Sequence, residues 1–139
     1  MKNTLAFQIA ALYRSFLGYT TNELKELGLN FGQMPVIVYV GKHPGCTQAE
    51  LTRNLRLDWG YSQRSVTKLA DGGFLTKEYD EASACNCLTL TQQGERAFAV
   101  SHNVFDSWDA LKLASFTEEE KETLLSLLGR ITAERKESC

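Results

Sequence analysis

Residues 58–75 read Asp58-Trp59-Gly60-Tyr61-Ser62-Gln63-Arg64-Ser65-Val66-Thr67-Lys68-Leu69-Ala70-Asp71-Gly72-Gly73-Phe74-Leu75, and the punctuation of this stretch decides the fold. Asp58 is a good helix N-cap, because its carboxylate can accept from the first free backbone N–H groups. Gly72–Gly73 is a stop signal, since glycine readily takes the left-handed conformation that closes a helix. A helix is therefore predicted from Asp58 to about Asp71. On it Val66 and Leu69 turn inward, with Ser62 and Ser65 alongside. At about 100° per residue, Gly60, Arg64 and Thr67 then point away, flanked by Tyr61, Gln63 and Lys68.

Upstream, Thr47 and Glu50 have the spacing of a capping box. They predict a short helix to about Asn54, with Leu55, Arg56 and Leu57 as a turn. Downstream, Phe74 to Tyr79 and Cys87 to Thr91 alternate at period two, with the polar stretch Asp80 to Asn86 as a loop of hairpin length. Two short helices followed by a hairpin form the pattern of a winged helix-turn-helix. In that arrangement the second helix enters the major groove, and the hairpin reaches an adjacent groove or the backbone.

Helical stripes flank this unit. From about Thr4 to Tyr19, Leu5, Ile9, Leu12 and Phe16 recur at helical spacing, widened by Tyr13 and Leu17. A loop is expected over Thr20 to Leu29, with a short helical turn at Glu23 to Leu27. Asn30 and Gln33 again have capping-box spacing. Met34 to Val40 is rich in β-branched residues and fits a strand or a helix; the cap before it and Gly41-Lys42-His43-Pro44-Gly45 after it favour a helix. Beyond Thr91, Ala97, Ser101, Val104, Phe105, Trp108 and Leu111 share one side of a long helix. Thr117-Glu118-Glu119-Glu120 opens a last helix with apolar Leu124, Leu127, Leu128 and Ile131. The expected fold is mostly α with a small β hairpin: one domain over 1–139, with the winged helix-turn-helix at about 30–92. The helices of about 1–20 and 93–139 would serve dimerisation, because a stripe that its own domain cannot bury is usually buried on a second copy.

The 139 residues are 43% apolar and 23% charged, ordinary values for a globular chain, which excludes disorder. The longest apolar run, Met34 to Val40, falls far short of the roughly 20 residues of a membrane span. Lys2, and Gln8 inside the apolar stretch, do not make a signal peptide, and Cys139 in last place makes no prenylation box. A cytoplasmic chain is expected. The net charge of −2 argues against a general nucleic-acid clamp but not against a local basic face. From Leu51 to Ala70, Arg53, Arg56, Arg64 and Lys68 stand against Asp58 alone.

Leu29-Asn30-Phe31-Gly32-Gln33, then Pro44-Gly45-Cys46-Thr47-Gln48-Ala49-Glu50-Leu51, Asp58 to Leu75, and Leu90-Thr91-Gln92-Gln93-Gly94 together resemble the MarR family of bacterial transcriptional regulators. The resemblance covers essentially the whole chain. It implies a homodimeric winged-helix repressor or activator controlled by a small ligand or by thiol oxidation. The wing departs from the pattern. Where family members commonly carry an Asp-Arg-Arg-type cluster, this chain has Ala82, Ser83 and Ala84, with Asp80 and Glu81 and no Lys or Arg in the loop. Minor-groove reading by arginine is thereby put in doubt.

Gly60, Tyr61, Gln63, Arg64, Thr67 and Lys68 are the candidate DNA-reading residues, because Arg and Lys fit guanine edges and Gln fits adenine. They are otherwise the solvated face of an ordinary helix. Arg53 and Arg56 are candidates for phosphate contact, and Thr47 stands where a helix N-terminus could face a phosphate or simply be capped. Trp59 and Tyr61 could stack on sugar or a thymine methyl, or pack under the wing. Cys85 and Cys87 are candidate redox residues. On an extended strand they share a face at roughly 6.5–7 Å, at or beyond the limit for an intrachain disulfide, which becomes feasible if Cys85 lies in the loop; they are otherwise structural or incidental thiols. Cys46, near a helix N-terminus, is a third candidate. Tyr13, Phe16, Leu17, Tyr39 and His102 could line an effector pocket, or be core and dimer interface. The Cys and His spacing does not suggest a metal, no cofactor is implied, and no enzymatic motif is present. The expected partners are double-stranded DNA with a palindromic operator, a second copy of the chain and a small-molecule effector, with no membrane. The alternative is a winged-helix protein-interaction module that does not bind DNA, favoured by the acidic wing.

Overall fold

The computed structural model describes residues 3–137, and the side chains of residues 3–133. Cys139 lies outside the described residues. Helix α1 spans Leu5–Leu24, with Thr4 Oγ1 accepting from the Phe7 N–H at 3.1 Å. It runs five residues past the expected end at Tyr19. Thr20 and Leu24 are fully buried, so burial carries the helix through the polar run Thr20-Thr21-Asn22-Glu23. A 3-10 turn at Lys25–Leu27 and left-handed Gly28 (φ 76°) end it. The Asn30–Gln33 capping box is closed in both directions, at 2.9 and 3.0 Å, and heads a second 3-10 turn, Phe31–Gln33. The apolar run that follows is a helix, α2 (Met34–Lys42), with Val36, Ile37 and Val40 in the core.

Cys46–Thr47 form a strand, β1, that the sequence pattern did not predict. Thr47 also caps helix α3 (Gln48–Asn54), accepting from the Glu50 N–H at 3.1 Å. Asp58 caps helix α4 (Trp59–Asp71) through the Tyr61 N–H, also at 3.1 Å. Strands β2 (Leu75–Asp80) and β3 (Cys85–Leu90) follow. The sheet is antiparallel in the order β1-β3-β2, three-stranded rather than a lone hairpin. The loop is shorter than the Asp80–Asn86 expected, because Asp80 pairs with Cys85 and Tyr79 with Asn86.

Helix α5 spans Gln92–Lys112 and α6 Glu118–Glu137. Gly94 seats α5 on the wing. It is buried, and a Cβ there would stand 1.9 Å from the Phe74 carbonyl oxygen. Gly41 likewise gives way to the Phe98 ring. The core gathers Leu24, Ile37, Leu51, Val66, Leu69 and Leu88, all fully buried. By packing, the chain forms two compact units, Met1–Phe105 and Asp106–Cys139. In the first unit, α1 leaves Leu5, Phe7, Ile9, Leu12 and Tyr13 about half exposed; in the second, α6 leaves Leu124, Leu125, Leu127 and Ile131 exposed. Thr117 and Glu120 cap α6 reciprocally at 2.9 and 3.1 Å.

Candidate nucleic-acid interface

Helices α3 and α4 are locked together by hydroxyls. Thr52 donates to the Gln48 carbonyl at 2.7 Å and lies 2.6 Å from the Ser62 hydroxyl, which is fully buried. Val66 and Leu69 share that inward face, as the helical period requires. The opposite face of α4 is open. Gly60, Gln63, Arg64, Thr67 and Lys68 line one shallow surface of about 460 Å³. Asp71 stands on it too, an acidic group one turn beyond Thr67 that the charge count to Ala70 stopped short of.

On one flank, Tyr61 bends back toward the turn before α2, where its hydroxyl is 3.5 Å from the Gly32 carbonyl. Together with Arg64 and Lys68 it lines a notch of about 300 Å³ against Asn30 and Gly32. Tyr61 thus belongs to the helix flank rather than to the wing. On the other flank, Trp59 is 52% exposed. It lines a groove of about 370 Å³ shared with Lys77 and Tyr79 of β2 and with Thr47 and Gln48 at the head of α3. Trp59 is therefore neither core nor covered by the wing.

Arg53, in the last turn of α3, and Arg56, in the segment joining α3 to α4, are exposed. Arg56 has φ 55°, a left-handed conformation that costs a residue with a Cβ about 1–2 kcal/mol. The turn is a Schellman closure: Arg56 N–H reaches the Arg53 carbonyl at 3.2 Å and Leu57 N–H the Thr52 carbonyl at 3.0 Å.

The wing tip is acidic and closed on itself. Asp80 accepts from the Ala82 N–H at 3.3 Å and the Ser83 hydroxyl at 2.9 Å. Lys77, the nearest cation in the wing, carries no motif signal in the sequence. It projects from the strand rather than the loop and reaches to 3.5 Å from Thr67 Oγ1 on α4.

The three candidate redox thiols, Cys46, Cys85 and Cys87, are free in this structure. Cys85 lies in a strand, not the loop, and alternates with Cys87 on a regular ladder, so the extended spacing that disfavours a disulfide applies. Cys46 is buried, and burial followed by the charge of Glu50 pushes its thiol up to about 11, so it lacks the thiolate a redox switch needs. Among the described residues, no group of three or more His, Cys, Asp or Glu side chains could hold a metal ion. None of their helices is long and apolar enough to cross a membrane.

The five candidate effector-pocket residues have different surroundings. Tyr13 and Phe16 pack edge-on against Phe31, with centroids at 6.1 and 5.9 Å. His102 is exposed, 5.7 Å from the Phe98 ring. Leu17 lines none of the cavities described. Tyr39 faces an apolar groove of about 300 Å³ with Met34, Val38, Lys42, Leu55 and Phe105. Asn54, the last residue of α3, donates to the Tyr39 hydroxyl at 2.7 Å, which couples this groove to the helix-turn-helix.

No protein-family model matches the chain. The chain is 36% identical over 132 residues to the HTH-type transcriptional regulator BilQ of Clostridium symbiosum, covering 94% of this chain and 92% of that protein. It is similar to the crystal structure of MarR, with a TM-score of 0.80, 25% identity, and coverage of 97% of this chain and 92% of that one. A MarR-family regulator from Listeria monocytogenes, solved with a 26mer DNA, shares the fold at a TM-score of 0.78 and 24% identity, covering 96% and 89%. The chain belongs to the MarR family of helix-turn-helix transcriptional regulators.

Proposed function

We propose that this chain is a cytoplasmic, homodimeric, sequence-specific DNA-binding regulator that represses a nearby promoter. The observation that carries this reading is the α4 face. It is a continuous exposed surface bearing Arg64, Lys68, Gln63 and Thr67, backed by a fully buried Ser62, Val66 and Leu69. A rigid helix with one open polar face and one locked face is what major-groove reading needs. The exposed apolar residues of α1 and of α6 supply the surfaces for a second copy, and two-fold symmetry would match a palindromic operator. Helices 1–20 and 93–139 are thus assigned to pairing, and 30–92 to DNA.

Release would come from a small molecule in the Tyr39 groove. An apolar body fits its lining, and Lys42 would favour an anionic group. The Asn54–Tyr39 hydrogen bond would pass a displacement of Tyr39 to the end of α3, shifting the population between two dimer geometries.

The test is fluorescence anisotropy of the full chain with labelled duplexes from its own upstream region and a shuffled control, at two salt concentrations. Preference for the native duplex, weakened by salt, is the expected result. Equal weak binding to both would overturn the reading and favour a protein-interaction module, which the acidic wing tip suits.

A further inference from the structure

We infer that the wing holds DNA with the side of its β2 strand and not with its tip, in a groove that takes a sugar-phosphate strand of the operator. The inference rests on the DNA-binding reading above. Its basis is the distribution of chemistry along the wing.

The tip is unfit for phosphate. Asp80 is engaged in closing the turn, Glu81 adds a second negative charge, and 82–84 supply no cation. Four residues back, the chemistry reverses. Leu75, Lys77 and Tyr79 alternate onto one face of β2, opposite Leu90, Leu88 and Asn86 on β3. Leu75 and Leu88 are buried under the helices, so this face turns toward α4. Lys77 and Tyr79 continue it past the core edge into the groove shared with Trp59, which uncharged Ala84, Cys85 and Asn86 line on the β3 side. Lys77 is the only charged residue lining that groove, while Trp59 and Tyr79 are 52% and 64% exposed.

Three features specify the occupant. The groove is continuous with the α4 face, since Gln63 lines both. Lys77 provides one positive charge, matching one phosphate. Two exposed aromatic rings offer flat apolar surfaces for deoxyribose or a thymine methyl. A sugar-phosphate strand has this combination of one charge and apolar sugar.

Two consequences follow. A wing that reads no minor groove is indifferent to its width, so A·T-rich flanks beneath the tip gain nothing. The wing contact is also partly salt-insensitive, because the ring contacts release no counterions.

The experiment uses the full chain and the duplex it selects from a randomised pool. Lys77→Ala should weaken binding and lower the salt slope by about one unit. Tyr79→Ala should weaken it roughly tenfold with the slope unchanged. Exchanging the flanking A·T pairs for G·C should change affinity by less than about twofold, where tip reading would respond strongly. In a Trp108→Phe chain, Trp59 is the sole tryptophan, and bound duplex should shield its emission from iodide. Arg64→Ala is the control. If it weakens binding while Lys77→Ala and Tyr79→Ala do not, and Trp59 stays open to iodide, the groove assignment is wrong and the DNA-binding reading stands. If the pool yields no selected duplex, both fall.

Discussion

The two ends of α4 are built in opposite ways. At its C-terminal end the Gly73 and Phe74 N–H groups reach the Ala70 and Leu69 carbonyls at 3.1 and 2.9 Å, and left-handed Gly73 (φ 86°) makes the turn without strain. Thr91 donates to the Gly73 carbonyl at 2.6 Å and accepts from the Gly94 N–H at 3.0 Å, so the turn, β3 and α5 meet in one knot. The turn ahead of the N-terminal end makes the same two hydrogen bonds, with exposed, strained Arg56 in the glycine position and Trp59 bare just beyond it. Where fit matters the chain uses glycine; where the surface faces outward it accepts strain and keeps a long cationic side chain. On the proposed DNA-binding reading, the backbone cost of about 1–2 kcal/mol at Arg56 would be offset by a phosphate contact of its guanidinium.

Four substitutions test that contrast, from the largest effect to the smallest. Gly94→Ala should destabilise by about 3 kcal/mol in denaturant unfolding, because its methyl would overlap the Phe74 carbonyl, which is backbone and cannot swing aside. A loss under about 0.5 kcal/mol would mean that α5 is not seated as described. Arg64→Ala should leave stability unchanged and weaken operator binding by about 1–3 kcal/mol, with relaxed discrimination at one base position; a uniform loss across sequences would make it a phosphate contact. Gly73→Ala should lose about 1–2 kcal/mol, since the added Cβ is strained at φ 86° and meets Gln93 Oε1 at 3.1 Å. Arg56→Gly should show the reverse sign: about 0.4–1 kcal/mol more stable in unfolding, yet a weaker DNA binder with a flatter salt dependence. A stabilised chain with unaltered DNA affinity would remove Arg56 from the interface.

Much of this was legible because the signals are local. Asn30 with Gln33 and Thr117 with Glu120 close both halves of a capping box, Asp58 caps α4, and Thr47 supplies the N-cap half of its box by accepting from the Glu50 N–H, all within four residues. The inward face of α4 followed from period alone. What the sequence hid depends on distant partners. Strand β1 is two residues long and exists through its pairing with Leu88 and Cys87. The last five residues of α1 look polar and are held by the burial of Thr20 and Leu24. Cys85 joins the ladder through Asp80, although Ser83-Ala84-Cys85-Asn86 shows no apolar alternation. Lys77 and Tyr79 were visible as alternating residues, but which face they occupy is settled only when Leu75 and Leu88 bury the other end of it. The effector candidates were chosen for a place between the flanking helices and the DNA domain, and the structure packs Tyr13 and Phe16 against Phe31, and His102 against Phe98.

If the proposed pairing holds, the bare apolar face of α1 sets a rule of dosage. A chain that shields Leu5, Ile9 and Leu12 only by finding its twin makes its active form in proportion to the square of its own abundance when scarce. Halving its synthesis would then leave about a quarter of the paired species, so a promoter under its control would respond more steeply to its expression than a single-chain binder allows.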